Sequence, residues 1–300
     1  MRHPGESLLQ HRAGITRPFG SARTRPEIPP VAADFLRAQR MLVIGSPDRD
    51  GRVWAGTLTG SEGFADPRDD QLISIGALPG GPFAGLFEES HDIGILAIEP
   101  ATRRRMRVNG RAHRDGGRLV VRTEQVYSNC PKYIQKREPV PLPGGDAGEE
   151  GEIVRGEALT SVQREWIRTA DTFFIATHAA GLGTDVSHRG GNPGFVQVVD
   201  ERRLAWPEYP GNFMFMTLGN LQLNPACGLL FLDWESGHGL HLTGRAAITG
   251  NGVGFELDEV VEVPGEVPLR WRFMESSPHN PPVKIPGEPS TVGVARTYTD

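Results

Sequence analysis

The sequence predicts a mainly β protein with short helices, of the α+β class, built from two small barrels in tandem. Gly 38 and Pro 25 among 300 residues are high together, which favours many turns and short strands over long helices. The chain also repeats itself. A shift of 131 positions lays FLRAQRMLVIGS (35–46) on WIRTADTFFIAT (166–177), Gly63-Phe64 on Gly194-Phe195, and PGG (79–81) on PGN (210–212). A further gap of three lays GILAIE (94–99) on GLLFLD (228–233) and NGRA (109–112) on TGRA (243–246). The matches keep one common order, which duplication explains better than shared turn chemistry.

Within each copy the elements follow one another in the same way. A short helix comes first. In copy two Thr160 and Gln163 have capping-box spacing, and Val162, Trp166 and Ala170 make an i, i+4 stripe. The apolar run TFFIAT reads as a strand and leads into a Gly-rich turn at 185–191. Strands GFVQVV, LAW, GLLFLD and the alternating GLHLTGRA follow, with a helix-length segment, NFMFMTLGNLQL, ahead of GLLFLD. Short strands at this spacing point to a small closed barrel, because closure removes exposed edges. Residues 138–158 carry six acidic residues against one Arg and no apolar period, and read as a linker. The expected units are therefore 1–137, a linker at 138–158, and 159–300.

Composition narrows the function classes. A net charge of −5 argues against a sequence-independent grip on nucleic acid, which needs clustered positive charge. No apolar run approaches the ~20 residues of a membrane helix. The start, MRHPGESLLQHRAG, lacks the apolar core of a secretory signal, and Cys130 and Cys227 lie in different halves, so a reducing cytoplasm is expected. No Cys/His pair has metal-ligand spacing, so no metal is expected.

The two copies differ in ways that carry chemistry. Copy two has Asp185-Val-Ser187-His188-Arg189-Gly190-Gly191 where copy one has Trp54-Ala-Gly56-Thr57-Leu58-Thr59-Gly60. Asn212 is matched by Gly81, and Thr217 by Leu86. An Arg, a His, hydroxyls and glycine amides brought together suit a phosphate dianion, and a helix starting near Asn212 would add its N-terminal amides. A solvated turn with Arg189 and His188 facing water fits the same residues. Copy one keeps Ser128-Asn129-Cys130-Pro131-Lys132-Tyr133-Ile134-Gln135 where copy two runs into VVEVPGEVP. Lys132 supplies a cation and Tyr133 a phenol; Cys130, with no base nearby, reads as a packed thiol. If the barrels face each other, one composite pocket takes phosphate chemistry from copy two and a cover from copy one.

Residues 183–233, with LHLTGRA and NCPKYIQ, resemble the pyridoxamine 5′-phosphate oxidase-like family of flavin mononucleotide (FMN)-binding split barrels, and its tandem-barrel members above all. The resemblance spans most of 30–275. It implies two split β-barrels packed face to face as an intrachain pseudo-dimer, with FMN in the cleft between them. By the same resemblance Ser187, His188, Arg189, Gly190 and Gly191 fall near the flavin phosphate and ribityl chain, and Asn212, Thr217 and Asn220 complete that site. Many relatives follow the PGN turn with a polar and then a basic residue. Here Phe213 and Met214 stand there, which leaves Arg189 as the main cation, joined by Lys132.

The expected function is an FMN-dependent oxidoreductase acting on a small organic substrate, with electrons from NAD(P)H or a partner reductase. No catalytic acid or base can be named. Rival readings are a haem-binding or haem-degrading split barrel, with His3, His11, His91, His238 and His241 as unassigned ligands, and a flavin carrier with no substrate of its own. A deazaflavin is a variant of the first. Exposed surfaces leave room for a homodimer.

Overall fold

The computed structural model describes residues 3–15, 20–141, 151–211, 214–250 and 252–283. The chain begins with helices α1 (Pro4–Arg12) and α2 (Pro30–Arg37). Copy one follows as β1 (Met41–Pro47), β2 (Val53–Thr59), β3 (Ala65–Pro67), β4 (Leu72–Ile75), β5 (His91–Glu99), β6 (Arg104–Asp115) and β7 (Arg118–Ser128). Two connecting strands, β8 (Lys136–Val140) and β9 (Val154–Gly156), precede α3 (Ser161–Thr169). Copy two then runs through β10 (Thr172–Ala179), β11 (Gly183–Gly190), β12 (Gln197–Val198), β13 (Arg203–Pro207), α4 (Met216–Leu223), β14 (Ala226–Leu232), β15 (Gly239–Thr249) and β16 (Gly252–Val263). A last strand, β17 (Arg270–Glu275), pairs with β8.

The two sheets have one topology. Copy one runs β2-β1-β5-β6-β7-β4-β3, and copy two runs β11-β10-β14-β15-β16-β13-β12, each strand replaced by its counterpart. Register repeats too: Met41 faces Thr59 as Thr172 faces Gly190, and Val43 faces Leu96 as Phe174 faces Leu230. Even the β-bulge recurs, between Asn109 and Gly110 in copy one and between Thr243 and Gly244 in copy two. The fold is two tandem split β-barrels packed as an intrachain pseudo-dimer.

The unbroken apolar runs have a simple cause. Side chains alternate across a strand, and strands covered on both faces read as continuous hydrophobic segments. In β1, Leu42 and Ile44 enter the core of barrel one, while Met41 and Val43 enter a third cluster between the barrels. In β10, Phe173 and Ile175 fill barrel two, while Phe174 and Ala176 join that same central cluster. Close approach across the seam needs glycine. A Cβ on Gly94 would lie 2.9 Å from the Thr184 carbonyl oxygen, and one on its counterpart Gly228 would lie 2.6 Å from that of Val53.

Several expectations are corrected. Residues 183–190 form strand β11 rather than a turn, because eight consecutive residues pair with β10. Helix α4 starts at Met216, not near Asn212, and its cap is Phe215 in a left-handed conformation. The capping box at Thr160 and Gln163 is present, but α3 buries Gln163 and Ile167 while Val162 is exposed. Both ends of the 138–158 segment are strands: β8 pairs with β17, and β9 extends barrel two at β16; residues 142–150 lie outside the described residues. The N-terminal α1 packs on α4 of copy two, so the chain crosses between copies at both ends.

Candidate functional site

Strand β11 lies at the edge of its sheet, bonded only to β10. Alternation puts Asp185, Ser187 and Arg189 on one side and Val186 and His188 on the other. On the first side Ser187 Oγ and Thr217 Oγ1 are 2.7 Å apart, and the Thr217 hydroxyl donates to Asp185 at 3.4 Å. Asp185 also accepts from Arg107 Nη1 at 3.0 and 3.1 Å and from the Tyr127 hydroxyl at 2.8 Å. Arg107 and Tyr127 belong to copy one, so this ion pair, with side chains 4% and 3% exposed, crosses the interface. Burial, and then the Asp185 charge, push the Tyr127 phenol well above its ordinary value. Asn220 is similarly saturated: its amide donates to Thr177 Oγ1 at 3.1 Å, and its oxygen lies 2.8 Å from His3 Nε2.

A pocket of about 240 Å³ opens between the barrels. From the predicted set, Lys132, Tyr133, His188, Arg189 and Gly190 line it. Gly191 lies behind them, its carbonyl accepting from Gln135 Nε2 at 3.1 Å. Ser187, Thr217 and Asn220 do not line the pocket. Their polar atoms are consumed by Asp185, Thr177 and His3, which corrects the expectation that they face the cofactor. Asn212 lies outside the described residues. Cys130 is exposed at the pocket rather than packed, whereas Cys227 is buried.

Two residues that sequence reading missed, Arg105 and Arg107 of β6, bring further cations to this pocket. Arg105 Nη1 lies 2.9 Å from His188 Nδ1. A guanidinium only donates, so His188 accepts there and is neutral. Burial, and then the surrounding arginines, hold its pKa well below the ordinary value. Burial and the charges of Arg107 and Arg189 also lower Arg105 to about 9. Arg189 Nε donates to Glu208 at 2.9 Å. Among the described residues, Arg105 Nε and Arg189 Nη2 are buried without a hydrogen-bond partner. Such orphans are costly, and an anion would satisfy them. The signal was present in the sequence: at the matched offset, Arg105 and Arg107 face Gly239 and His241 in copy two.

Tyr133 closes the pocket. Its hydroxyl donates to the Pro210 carbonyl at 2.6 Å, and its ring lies 5.2 Å from that of Tyr209. Its φ of 69° is unusual for an aromatic residue and marks local strain, held in place by the Gln135 amide on its carbonyl at 3.1 Å. That carbonyl presses against Gly190, where a Cβ has no room.

The pseudo-twofold gives copy one an equivalent pocket, lined by Thr57, Leu58, Phe83, His241 and Glu266. Among the described residues no Arg or Lys lines it. Glu266 fills the space beside Gly239, accepts from Thr57 and lies 2.7 Å from His241.

No family model and no curated protein matches the chain. Among solved structures it is similar to HupZ of Group A Streptococcus, at 13% identity and a TM-score of 0.30 over 36% of this chain and 98% of that one. It is similar to a Lactobacillus delbrueckii protein provisionally assigned as a pyridoxamine 5′-phosphate oxidase, at 18% identity and 0.29 over 35% and 94%. A third is an FAD-binding protein of Mycobacterium smegmatis, at 12% identity and 0.25 over 37% and 97%. These likenesses concern the backbone of about a third of the chain. Among the described residues no helix is long and apolar enough to cross a membrane, and no cluster of three or more metal-ligating side chains occurs.

Proposed function

We propose that the chain binds FMN in the inter-barrel pocket and acts as an FMN-dependent oxidoreductase on a small organic substrate. One observation carries the reading: guanidinium groups from both copies converge on one pocket, and three of them, Arg105, Arg107 and Arg189, keep a buried N–H group without a partner among the described residues. Among the described residues four cations line it, and the carboxylates of Asp185 and Glu208 engage Arg107 and Arg189, leaving Arg105 and Lys132 without a carboxylate. That surplus of about two charges matches a phosphate monoester, which carries ≈ −1.5 to −2 at neutral pH.

The residues divide the work. Arg105 and Arg189 offer the phosphate their open N–H groups. Neutral His188 fixes the Arg105 fork by accepting from it. The buried Asp185–Arg107 pair, steadied by Tyr127 and Thr217, holds copy one against β11. Tyr133, Tyr209, Phe195 and Met214 provide apolar and aromatic surface for a ring system and keep water from it. A bound flavin would supply the electron-transfer chemistry, the protein its binding and electrostatics. Electrons would come from NAD(P)H or a partner reductase.

The visible absorption spectrum of the purified protein tests the cofactor. Flavin bands support the reading, and a haem spectrum overturns it. Of the histidines, only His188 lines this pocket among the described residues, and the Arg105 N–H already occupies its Nδ1. Turnover with NADH or NADPH and small acceptors distinguishes an enzyme from a flavin carrier.

A further inference from the structure

A second pocket, of about 430 Å³, adjoins the first on the copy-one side. Helix α2 gives one wall through Val31, Ala32 and Phe35, and Met106 and Val126 of β6 and β7 give the other. The pockets meet at Arg105, Ser128 and Asn129, which line both. Val31 is 66% exposed, so an apolar side chain at this wall is left to water. One guanidinium group faces this space: Arg104 lies with its guanidinium carbon 4.7 Å from the Phe35 ring centroid and has no carboxylate partner among the described residues. Arg105, the next residue on β6, sends its guanidinium the other way, to His188. Tyr127 bridges the two sites: it lines the second pocket while its hydroxyl reaches Asp185 behind the first.

We propose that this second pocket binds a small organic acid, its apolar body against Val31, Phe35 and Met106 and its single anionic group at Arg104. Naming that acid as the substrate rests on the flavin reading of the neighbouring pocket; the binding itself does not. The apolar walls disfavour a polyanion, whose further charges would lose water without gaining a partner. A lone carboxylate or sulfonate gains charge-assisted hydrogen bonds and covers exposed apolar surface.

The test uses the full chain and 1-anilinonaphthalene-8-sulfonate, followed by its fluorescence. Saturable binding of one dye per chain is expected, displaced by octanoate and at least about ten-fold less well by octanol. Arg104→Glu and Val31→Asp, both at exposed positions, should each weaken the dye by about ten-fold or more. Dye binding that does not saturate, or that neither substitution changes, overturns the proposal. FMN titrated into the same samples separates the two readings: an unchanged dye response in a protein that never binds FMN keeps this pocket and sinks the flavin assignment.

Discussion

Lys132 and Glu266 stand at equivalent places in the two inter-barrel pockets and carry opposite charges. Lys132 lies against Gly211 beside the arginines. Glu266 accepts from the Thr57 backbone at 3.2 Å and the Thr57 hydroxyl at 2.8 Å. A phosphate entering the Glu266 pocket would meet a fixed carboxylate and, among the described residues, no Arg or Lys. One tight FMN per chain is therefore expected, and titration of apo-protein counts the sites. Two equivalent sites would refute the asymmetry.

Arg105→Ala and Arg189→Ala should each remove a charge-assisted hydrogen bond of roughly 1.5–3 kcal/mol, weakening FMN by about ten- to over a hundred-fold. Riboflavin, which lacks the phosphate, should bind all versions alike. The loss should be larger for Arg189, because Glu208 is then left unpaired in the pocket. Glu208→Gln should leave FMN equally tight or tighter. Calorimetry on the three variants checks the order.

Gly190→Ala should destabilise the interface by about 1–3 kcal/mol, since the new methyl meets the backbone carbonyl of Tyr133. A backbone atom cannot swing aside as a side chain can. Gly117→Ala, with nothing within 4 Å, is the neutral control. Thermal melts of both variants decide it.

His241 and Glu266 predict a pH window. Nδ1 of His241 lies 2.7 Å from the Ala55 carbonyl oxygen and Nε2 lies 2.7 Å from Glu266, so acceptors face both nitrogens. Burial lowers the His241 pKa, but Glu266 outweighs it and the net shift is upward; burial raises Glu266, but His241 outweighs it and the net shift is downward. The His241 contribution is full below its ordinary 6.5 and is lost as pH rises through the raised value. The Glu266 contribution is full above 4.5 and is lost as pH falls through the lowered one. Urea unfolding of wild type and His241→Asn should differ most between roughly pH 4.5 and 6.5, with the gap narrowing above. A gap that grows with pH refutes the imidazolium.

Glu6 predicts a slope opposite to that of Glu266. Burial pushes its pKa up to about 7, against two hydrogen bonds from Ser21. The unfolded chain ionises this carboxyl earlier than the folded one, so stability falls as pH rises from 4.5 through about 7. Glu6→Gln should flatten that part of the profile. Hydrogen exchange of α1 at pH 6 and pH 8 reads the same effect locally, with faster exchange at the higher pH beyond the chemical rate.

The sequence by itself determined the duplication, the strand order within each copy and the asymmetry between copies. These depend on local period and on an offset of 131 residues that the registers preserve. Lys132, Tyr133, His188 and Arg189 were legible because each differs from its counterpart in the other copy. Tertiary structure alone decided the rest. Ser187, Thr217 and Asn220 turn away from the pocket because the register of β11 and the packing of α4 point them at Asp185, Thr177 and His3. Arg107 finds Asp185 across 78 positions, and His3 finds Asn220 across 217. Residue type names the donor or acceptor, but a charge's partner is whichever group the fold brings within about 3 Å, and no local pattern encodes that distance.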